Sequence, residues 1–429
     1  MLKKTAALCA LLGLTAAAPS DHWAVLVAGS NGFWNYRHQA DVCHAYQVVK
    51  RNGIPEDQII VMAYDDIANS SQNPFKGQLF NKPNGPNVYE GCKIDYKGKD
   101  VTPEVFLNVL QGNAAANAGK GNGKVLKSND ESKVFVFFSD HGAPGLVAFP
   151  SDELYADQLN TAFENMYSNN MYKQLVFYLE TCESGSMFSN TLKNDRNIYA
   201  VTAANPTESS WGTYCYPNDM VNGKHMGTCL GDLFSINWME NADATAPNGE
   251  SLEQQFQVLL TETAKSHVMR YGQMTFTNEF IGEFEGILDE SDSFLGRVFG
   301  RELKEKPHVA DQTKLTSTVN SRDAKLHHLY AKASENGDHK AHIELSNEIN
   351  HRMKVDHIFE NFKSHLLGAE QFEAPSNFDC LRQLVATYKE SCGPLEDYSL
   401  KYVKYLVQEC ETTTNQEASI QKLQNICQQ

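Results

Sequence analysis

One cysteine stands where a buried strand breaks into small polar residues. The run from Gln174 to Leu179 is apolar and rich in β-branched and aromatic residues, which is typical of a strand buried on both faces. The polar stretch that follows contains Cys182 between two glutamates, Glu180 and Glu183. A free cysteine is often only a buried structural residue, but charged neighbours have little place in a core. The pattern therefore favours a reactive thiol.

A histidine ends a second run of the same form. The apolar stretch at residues 133–139 breaks at Asp140, His141 and Gly142. Because the carboxyl ends of parallel strands meet at one edge of a sheet, His141 and Cys182 are expected to lie together there. An imidazolium lowers the pKa of a neighbouring thiol, and the same histidine can later protonate a leaving amine. The two strand ends predict a Cys–His hydrolase.

Two further groups could complete this catalytic centre. The backbone N–H groups of Gly142 and Cys182 could bind the oxyanion, an interaction of roughly 3–4 kcal/mol per donor, and glycine leaves room for the substrate. Asn35, which follows the first predicted strand, could orient His141. Its position alone, however, favours an ordinary turn asparagine over this role.

The elements that must hold these residues alternate along the chain. Besides the two runs above, strands are predicted at residues 23–28, 59–64, 197–204 and 276–286. Helices are predicted at residues 39–50, 102–111, 155–172 and 251–267. Such alternation indicates an α/β fold, with a mostly parallel, doubly wound sheet and helices on both faces.

The amino terminus has the form of a secretory signal peptide. Lys3 and Lys4 precede an apolar run at residues 6–14 and then small residues, so residues 1–18 are assigned to the signal. No later stretch is long enough to cross a bilayer, and the expected location is the secretory pathway or outside the cell. The formal charge of −16 argues against nucleic acid or an anionic membrane as a main partner.

Composition divides the rest of the chain. The catalytic domain is expected at residues 19–286, a charged linker or activation peptide at 287–345, and a helical domain at 346–429. Four cysteines in the helical domain predict two disulfides, and three pairings are possible. Without Cys9 of the signal the cysteines are odd in number, which again points to one free thiol. Neither a metal site nor a cofactor is expected, and Asn69 begins the single glycosylation sequon.

Several motifs, in order, closely resemble those of the legumain family of asparaginyl endopeptidases, which includes the plant vacuolar processing enzymes. They lie at residues 29–32, 35–41, 140–142, 180–187, 208–210, 230–232 and 237–240, and the likeness continues into the four-cysteine tail. The resemblance implies a caspase-like α/β catalytic domain and cleavage of protein and peptide substrates after asparagine. It also implies that the C-terminal domain is an inhibitory prodomain, which acid conditions release.

The resemblance also implies a binding pocket for the asparagine side chain. Arg37 would donate to the amide oxygen, while Glu180 and Asp232 would accept from the amide nitrogen. His38 and Ser209 would complete the wall. At acid pH a protonated aspartate should also be accepted. Judged by sequence context alone, Arg37 and Asp232 could equally be a surface ion pair.

Disulfides and processing sites follow from the same resemblance. The implied bridges are Cys215–Cys229, Cys380–Cys410 and Cys392–Cys427. Self-processing is expected after Asn336 or Asn320, in the lysosome or vacuole, and cystatin-type inhibitors are expected partners. One alternative is a peptide asparaginyl ligase, in which an amine replaces water. Another is a non-catalytic inhibitor, which the intact His141 and Cys182 disfavour.

Overall fold

The computed structural model describes residues 21–286, 312–336, 339–364, 366 and 374–428. The predicted signal peptide and residues 287–311 of the predicted linker lie outside this part of the chain. The strands are β1 (His22–Ala28), β2 (Ile59–Met62), β3 (Lys133–Ser139), β4 (Gly142–Ala143), β5 (Leu146–Ala148), β6 (Glu153–Tyr155), β7 (Gln174–Glu180), β8 (Ile198–Thr202), β9 (Trp211–Thr213), β10 (Met220–Val221), β11 (Lys224–His225), β12 (Gly231–Asp232), β13 (Met269–Gly272) and β14 (Val319–Asn320).

Helices cover both faces of the main sheet and form most of the C-terminal domain. They are α1 (Tyr36–Arg51), α2 (Pro103–Leu110), α3 (Ala156–Ser168), α4 (Leu233–Ala244), α5 (Leu252–Glu262), α6 (Gly282–Glu285), α7 (Gln312–Thr316), α8 (Ala324–Asn336), α9 (His339–Lys363), α10 (Phe378–Ser391), α11 (Val403–Thr412) and α12 (Gln416–Cys427). Within the described residues, no helix combines the length and apolar character needed to cross a membrane.

The main sheet has six strands in the order β13-β8-β7-β3-β1-β2. All neighbours are parallel except β13, which pairs antiparallel with β8. The predicted α/β class and mostly parallel sheet are confirmed. Apolar side chains fill both faces, because strands covered on two sides have no polar face to present. On one face Trp238 of α4 packs edge-on against Phe135 and Phe137 of β3.

The predicted strand at residues 276–286 is wrong, and β13 closes the sheet instead. Residues 276–286 form turns and the short helix α6. The buried apolar side chains among them are Phe276, Ile281 and Phe284, whereas Phe280 is exposed. Burial three residues apart is typical of a helical turn and does not follow the alternation of a strand. The ring of Phe284 packs 5.8 Å from that of Phe276.

A small antiparallel sheet connects the catalytic domain to the C-terminal domain. Strands β4, β5 and β6 pair in that order directly after β3. Ala143, Leu146 and Tyr155 of this sheet share one apolar core with α9, α10, α11 and α12. The C-terminal domain is therefore packed on the catalytic domain by a continuous hydrophobic interface.

The predicted linker is part of the fold from residue 312 onward. It forms α7, β14 and α8, and β14 pairs antiparallel with β9 of the catalytic domain. The three disulfides implied by the resemblance are present. A fourth, Cys43–Cys92, joins α1 to an irregular segment and was not paired by the sequence analysis. Cys182 is the free cysteine of the described residues.

Candidate active site

Strand register brings the histidine and the cysteine to the same edge of the sheet. Ser139, the last residue of β3, pairs with Glu180, the last residue of β7. The next amide extends this pairing, because Asp140 N donates to Glu180 O at 3.0 Å. His141 and Cys182 each lie two residues beyond the paired positions, so both leave adjacent parallel strands at the same level.

Backbone packing holds the two strand ends close together at Gly142. A Cβ atom on this residue would lie 2.5 Å from Cys182 O and 2.6 Å from Thr181 Oγ1. Only glycine fits such an approach. The chain then turns sharply after the cysteine, since Glu183 has a positive φ of 47° before the turn Ser184–Met187. A strained residue beside a candidate nucleophile is typical of a functional site.

The imidazole of His141 is held through one of its nitrogens. Nε2 lies 2.8 Å from Asn35 Oδ1, while the buried Nδ1 has no hydrogen-bond partner. Because an amide oxygen can only accept, Nε2 carries the proton and Nδ1 is left as the basic nitrogen. The ring also packs edge-on against His38, with centroids 5.0 Å apart. The structure thus brings Asn35 to the histidine, as the sequence analysis suggested.

The thiol of Cys182 is buried and hydrogen-bonded to Ser210. Its Sγ accepts from the Ser210 amide at 3.3 Å and lies 3.7 Å from the Ser210 hydroxyl. Burial raises the pKa of the thiol, and the positive charge of Arg322 opposes that rise only in part. The thiol is therefore predominantly neutral in this closed form.

A second cluster lies beside the reactive pair and is built from three elements. Arg37, in the first turn of α1, is fully buried and donates from Nε to Asp232 Oδ1 at 2.8 Å. Asp232 ends β12, and Glu180 ends β7. The Glu180 Oε2 accepts from the amide and hydroxyl of Ser235. The ion pair of Arg37 with Asp232 is thus buried, not a surface pair.

Each of these three groups keeps one buried atom without a hydrogen-bond partner. These atoms are Arg37 Nη2, Glu180 Oε1 and Asp232 Oδ2. Buried polar groups are nearly always hydrogen-bonded, so three neighbouring exceptions indicate a site for a polar ligand. Burial, followed by the charge of Asp232, raises the pKa of Glu180 well above its usual range. One free donor and two free acceptors define the chemistry of the ligand.

His38 and Ser209 occupy different surroundings from one another. His38 Nδ1 lies 2.6 Å from Ser30 Oγ, and its Nε2 lies 3.4 Å from Asp232 Oδ2. Burial, then the charges of Arg37 and His141, lowers the pKa of His38 well below its usual range. Ser209 Oγ instead accepts from Arg322 at 2.9 Å, so the linker engages it here.

Two groups that the sequence analysis did not assign close the site. Asp397, from the C-terminal domain, places Oδ2 3.1 Å from both His141 Nε2 and Asn35 Nδ2. Desolvation raises the pKa of Asp397, but the charge of His141 and the hydrogen bonds from His141 and Asn35 outweigh it, so that pKa lies well below its usual range. No local pattern in the sequence marks this aspartate.

The second closing group is the segment that contains β14. Ser321 Oγ donates to Asp232 Oδ1 at 3.3 Å, and its amide donates to Ser210 O at 3.1 Å. The neighbouring Arg322 forms a buried ion pair with Glu183 and donates to Gly142 O at 2.8 Å. The segment thus lies along the cleft as an added strand, in the manner of a peptide bound to a sheet edge.

Two groups of metal-ligating side chains converge in the described residues. One combines the disulfide of Cys215 and Cys229 with His328, whose Nε2 is 3.6 Å from Cys229 Sγ. Its sulfurs are already bonded to each other. The other joins His38 and His141 to Asp140, whose two carboxyl oxygens have no hydrogen-bond partner. This second group includes the candidate catalytic base, so an ion bound there would occupy the base itself.

The fold and the site define a cysteine protease that is closed by its own C-terminal domain. The sequence profile of the peptidase C13 family matches residues 22–287, and that of the legumain prodomain matches residues 343–427. The chain belongs to the peptidase C13 family. It is an asparaginyl cysteine endopeptidase with an inhibitory prodomain, and these matches do not favour the ligase alternative.

Similar proteins occur in plants and animals. The chain is 40% identical to a vacuolar-processing enzyme of Citrus sinensis, over 94% of this chain and 85% of that one. It is 41% identical to a legumain of Mus musculus, over 91% of this chain and 88% of that one. A caspase-1 of Spodoptera frugiperda is a more distant structural neighbour, with a TM-score of 0.37 and 11% identity over 63% of this chain and 92% of that one.

Proposed function

We propose that the pocket of Arg37, Glu180 and Asp232 binds the asparagine side chain of the substrate. The observation that carries this assignment is the set of three buried unpartnered atoms, one donor and two acceptors. A carboxamide offers one acceptor oxygen and an NH₂ group with two hydrogens to donate, so it matches the set. The acid of an aspartate side chain fits the same atoms once it is protonated, which extends cleavage to aspartate at low pH. His38, 3.4 Å from Asp232, and Ser209 complete the wall when the linker has left.

Catalysis begins with proton transfer from the Cys182 thiol to His141 Nδ1, the ring nitrogen without a hydrogen-bond partner. Asn35 keeps the proton on Nε2 and thereby preserves the basic nitrogen. The thiolate then adds to the carbonyl carbon of the asparagine residue, and the backbone N–H groups of Gly142 and Cys182 stabilise the oxyanion. His141 returns its proton to the leaving amine, and water hydrolyses the thioester.

Latency rests on two separate contacts with this machinery. Asp397 occupies the hydrogen-bonding side of His141 and Asn35. Ser321 occupies the pocket at Asp232, but its side chain is too short to extend as far into the pocket as an asparagine side chain would. Burial of Cys182 in the closed form also raises the pKa of its thiol more than the charge of Arg322 lowers it, and so withholds the thiolate. The enzyme is made as a zymogen for these reasons.

Acid conditions weaken the contact made by Asp397. Because its pKa is lowered in the closed form, the carboxylate stabilises that form above the ordinary aspartate pKa of about 4. This contribution is lost as pH falls from there through the lowered pKa. Release of the prodomain at acid pH, to which this carboxylate contributes only below about pH 4, exposes the linker to cleavage. The lysosome or vacuole, reached through the secretory pathway, is the site of action.

Asn336 is the better of the two proposed processing sites. It is the last residue of α8, and the next residue, Gly337, lies outside the described part of the chain. Asn320, by contrast, accepts the Arg322 amide at 3.1 Å, while Ser321 is the residue that reaches Asp232. Asn320 is thus one residue out of register for cleavage.

Asn69 is exposed and accessible for glycosylation. Cystatin-type inhibitors are also proposed as partners.

The test is cleavage of a fluorogenic peptide with asparagine before the reporter, between pH 4 and 7.5. Mass spectrometry of the chain at each pH follows its processing. We expect activity to appear together with loss of the C-terminal domain in wild type and to be absent in Cys182→Ala. Matched peptides with glutamine or leucine in place of asparagine test the pocket. Equal cleavage of all three would contradict the assignment of Arg37, Glu180 and Asp232.

A further inference from the structure

The surface beneath helix α10 belongs to the catalytic domain and therefore remains after the prodomain leaves. It consists of Ala143, Leu146, Glu153, Tyr155 and Asp157, which we name the acidic platform. Three of these are apolar and lie in the core shared with the prodomain. The other two are carboxylates, at the start of β6 and in the first turn of α3. Removal of the cap would uncover an apolar patch bordered by negative charge, which typically marks an interaction site.

Helix α10 shows which chemistry this surface binds. Arg382 donates to both oxygens of Asp157 at 2.9 Å, and its guanidinium lies 5.4 Å from the centre of the Tyr155 ring. Lys389 donates to both oxygens of Glu153, at 3.1 and 3.0 Å. Beside the two cations the helix presents a buried apolar stripe, of which Leu384, Val385 and Tyr388 lie between the cations and Leu381 lies just before them.

The spacing of the two cations requires a helix. Seven residues separate Arg382 from Lys389, which in a helix is two turns and about 10.5 Å along one face. An extended strand would place them about 23 Å apart, too far to reach both carboxylates of this small sheet. The platform therefore fits a basic amphipathic helix, with its apolar residues between two cations.

The platform is also close to the reaction. β4 begins at Gly142, directly after His141, and β6 lies two strands away, or about 10 Å across the sheet. In the closed chain six residues lead from Ser391, the end of α10, to Asp397 beside His141. A substrate helix on the platform would thus hold a scissile segment at the catalytic centre through a short tether.

We propose that the acidic platform of the activated enzyme is an exosite for protein substrates that carry a basic amphipathic helix near the scissile asparagine. The proposal rests on the asparagine-specific cleavage proposed above and extends it from a single residue to a class of protein. The exosite lowers KM by raising the local concentration of the scissile segment at the catalytic centre. The prodomain helix uses the same surface in the closed chain, so the exosite opens only on activation.

Two peptide substrates test the proposal on the acid-activated wild-type enzyme. Both contain an asparagine cleavage sequence, preceded by a six-residue tether and a 14-residue amphipathic helix. One helix carries Arg and Lys seven residues apart, and the other carries Glu at both positions. We expect kcat/KM to be about fivefold higher for the basic helix, since partly exposed ion pairs contribute modestly. Equal values would overturn the proposal.

Variants then assign the effect to the platform. Within each enzyme the ratio of the two kcat/KM values is compared, so that any change in basal rate cancels. Glu153→Gln with Asp157→Asn should bring the ratio to about one, and Glu153→Lys with Asp157→Lys should invert it. The control variant is Glu131→Gln, which alters an exposed residue just before β3 and should leave the ratio unchanged. A ratio unaffected by the platform variants would refute the assignment.

A further substrate separates a helix from a merely basic segment. A proline in the middle of the basic helix breaks it without changing its charge. If this peptide were cleaved as well as the intact helix, the helical partner would be disproved. Failure of asparagine cleavage itself is distinguishable, because a short peptide without any helix would then also remain uncut.

Discussion

The cleft has two halves that are built and closed in different ways. The reactive half takes His141 and Cys182 from the ends of two adjacent strands, and the prodomain closes it through Asp397. The half that we propose for specificity takes Arg37 and Asp232 from α1 and β12, and the linker closes it through Ser321. Strand pairing alone positions the first half, whereas the second needs several packed elements.

The difference shows that latency is divided between two segments of the chain. Asn336 lies between them, after Ser321 and before Asp397. A cut there would separate the prodomain from the catalytic domain but would leave Ser321 connected to the catalytic side. Full activity therefore requires two events, release of the cap and withdrawal of the β14 segment from the pocket.

The largest expected effect comes from breaking the specificity half alone. Arg37→Met leaves Asp232 as an uncompensated buried carboxylate, a loss of roughly 3–5 kcal/mol, and should lower kcat/KM on asparagine peptides about 10²–10³-fold. Alkylation of Cys182 by iodoacetamide in the activated enzyme should be unchanged. Arg37→Lys is the matched control and should recover part of the activity. A parallel loss of thiol alkylation would show that the two halves are not separable.

A buried acid remote from the cleft sharpens the comparison. Glu285 is buried with neither carboxyl oxygen hydrogen-bonded, and burial, followed by the charge of Glu250, raises its pKa to about 8. Below the pKa of about 4 that this glutamate has in the unfolded chain, its side chain is neutral in both states and does not reduce the free energy of unfolding. As pH rises from there through 8, the free energy of unfolding falls.

Glu285→Gln should therefore raise the free energy of unfolding at pH 8 by about 2–4 kcal/mol and change it little at pH 4.5. Urea unfolding of the full chain at both pH values measures the difference. Glu180→Gln, at the cleft, is the comparison variant and should instead change the preference for asparagine. An equal gain for Glu285→Gln at both pH values would contradict ionisation as the cause.

The two closures can be opened one at a time. Asp397→Asn removes the carboxylate beside His141, and Arg322→Gln removes the cation paired with Glu183. The contact of the half-exposed Asp397 should contribute about 1 kcal/mol to closure, so Asp397→Asn should accelerate labelling of Cys182 at pH 6.5 about fivefold. The pair of Arg322 with Glu183 is buried, so Arg322→Gln should accelerate labelling more. Labelling of the double variant should exceed both. If one variant alone gave the full effect, latency would reside in a single segment.

The smallest expected effect concerns register in the linker. Asn320→Gln should leave acid processing unchanged, because Asn320 does not face Asp232. Asn336→Gln should slow release of the C-terminal domain, as intact-mass spectrometry at pH 4.5 would record. Slower processing of Asn320→Gln alone would reverse this order. Ser321→Asn, which lengthens the residue at the pocket, serves as a positive control for cleavage within the segment.

Much of the fold could be predicted from periodicity. The apolar runs before His141 and Cys182 are continuous because both faces of β3 and β7 are covered, and this gives a strong signal. The strand prediction at residues 276–286 was wrong because buried apolar residues such as Phe276 and Phe284 are found both in strands and in helical turns. The pairing of Cys43 with Cys92 was missed because separation along the chain says nothing about distance in space.

The sequence by itself determined the reactive pair, the class of fold and the family. Each of these depends on the types of neighbouring residues and on their order along the chain. The periodicity of apolar residues and the spacing of motifs give both directly. Only the tertiary structure decided that Asp397 meets His141, that Ser321 and not Asn320 meets Asp232, and that Arg382 and Lys389 face an acidic platform. These contacts join residues far apart in the chain, and the packing of separately folded elements sets their register.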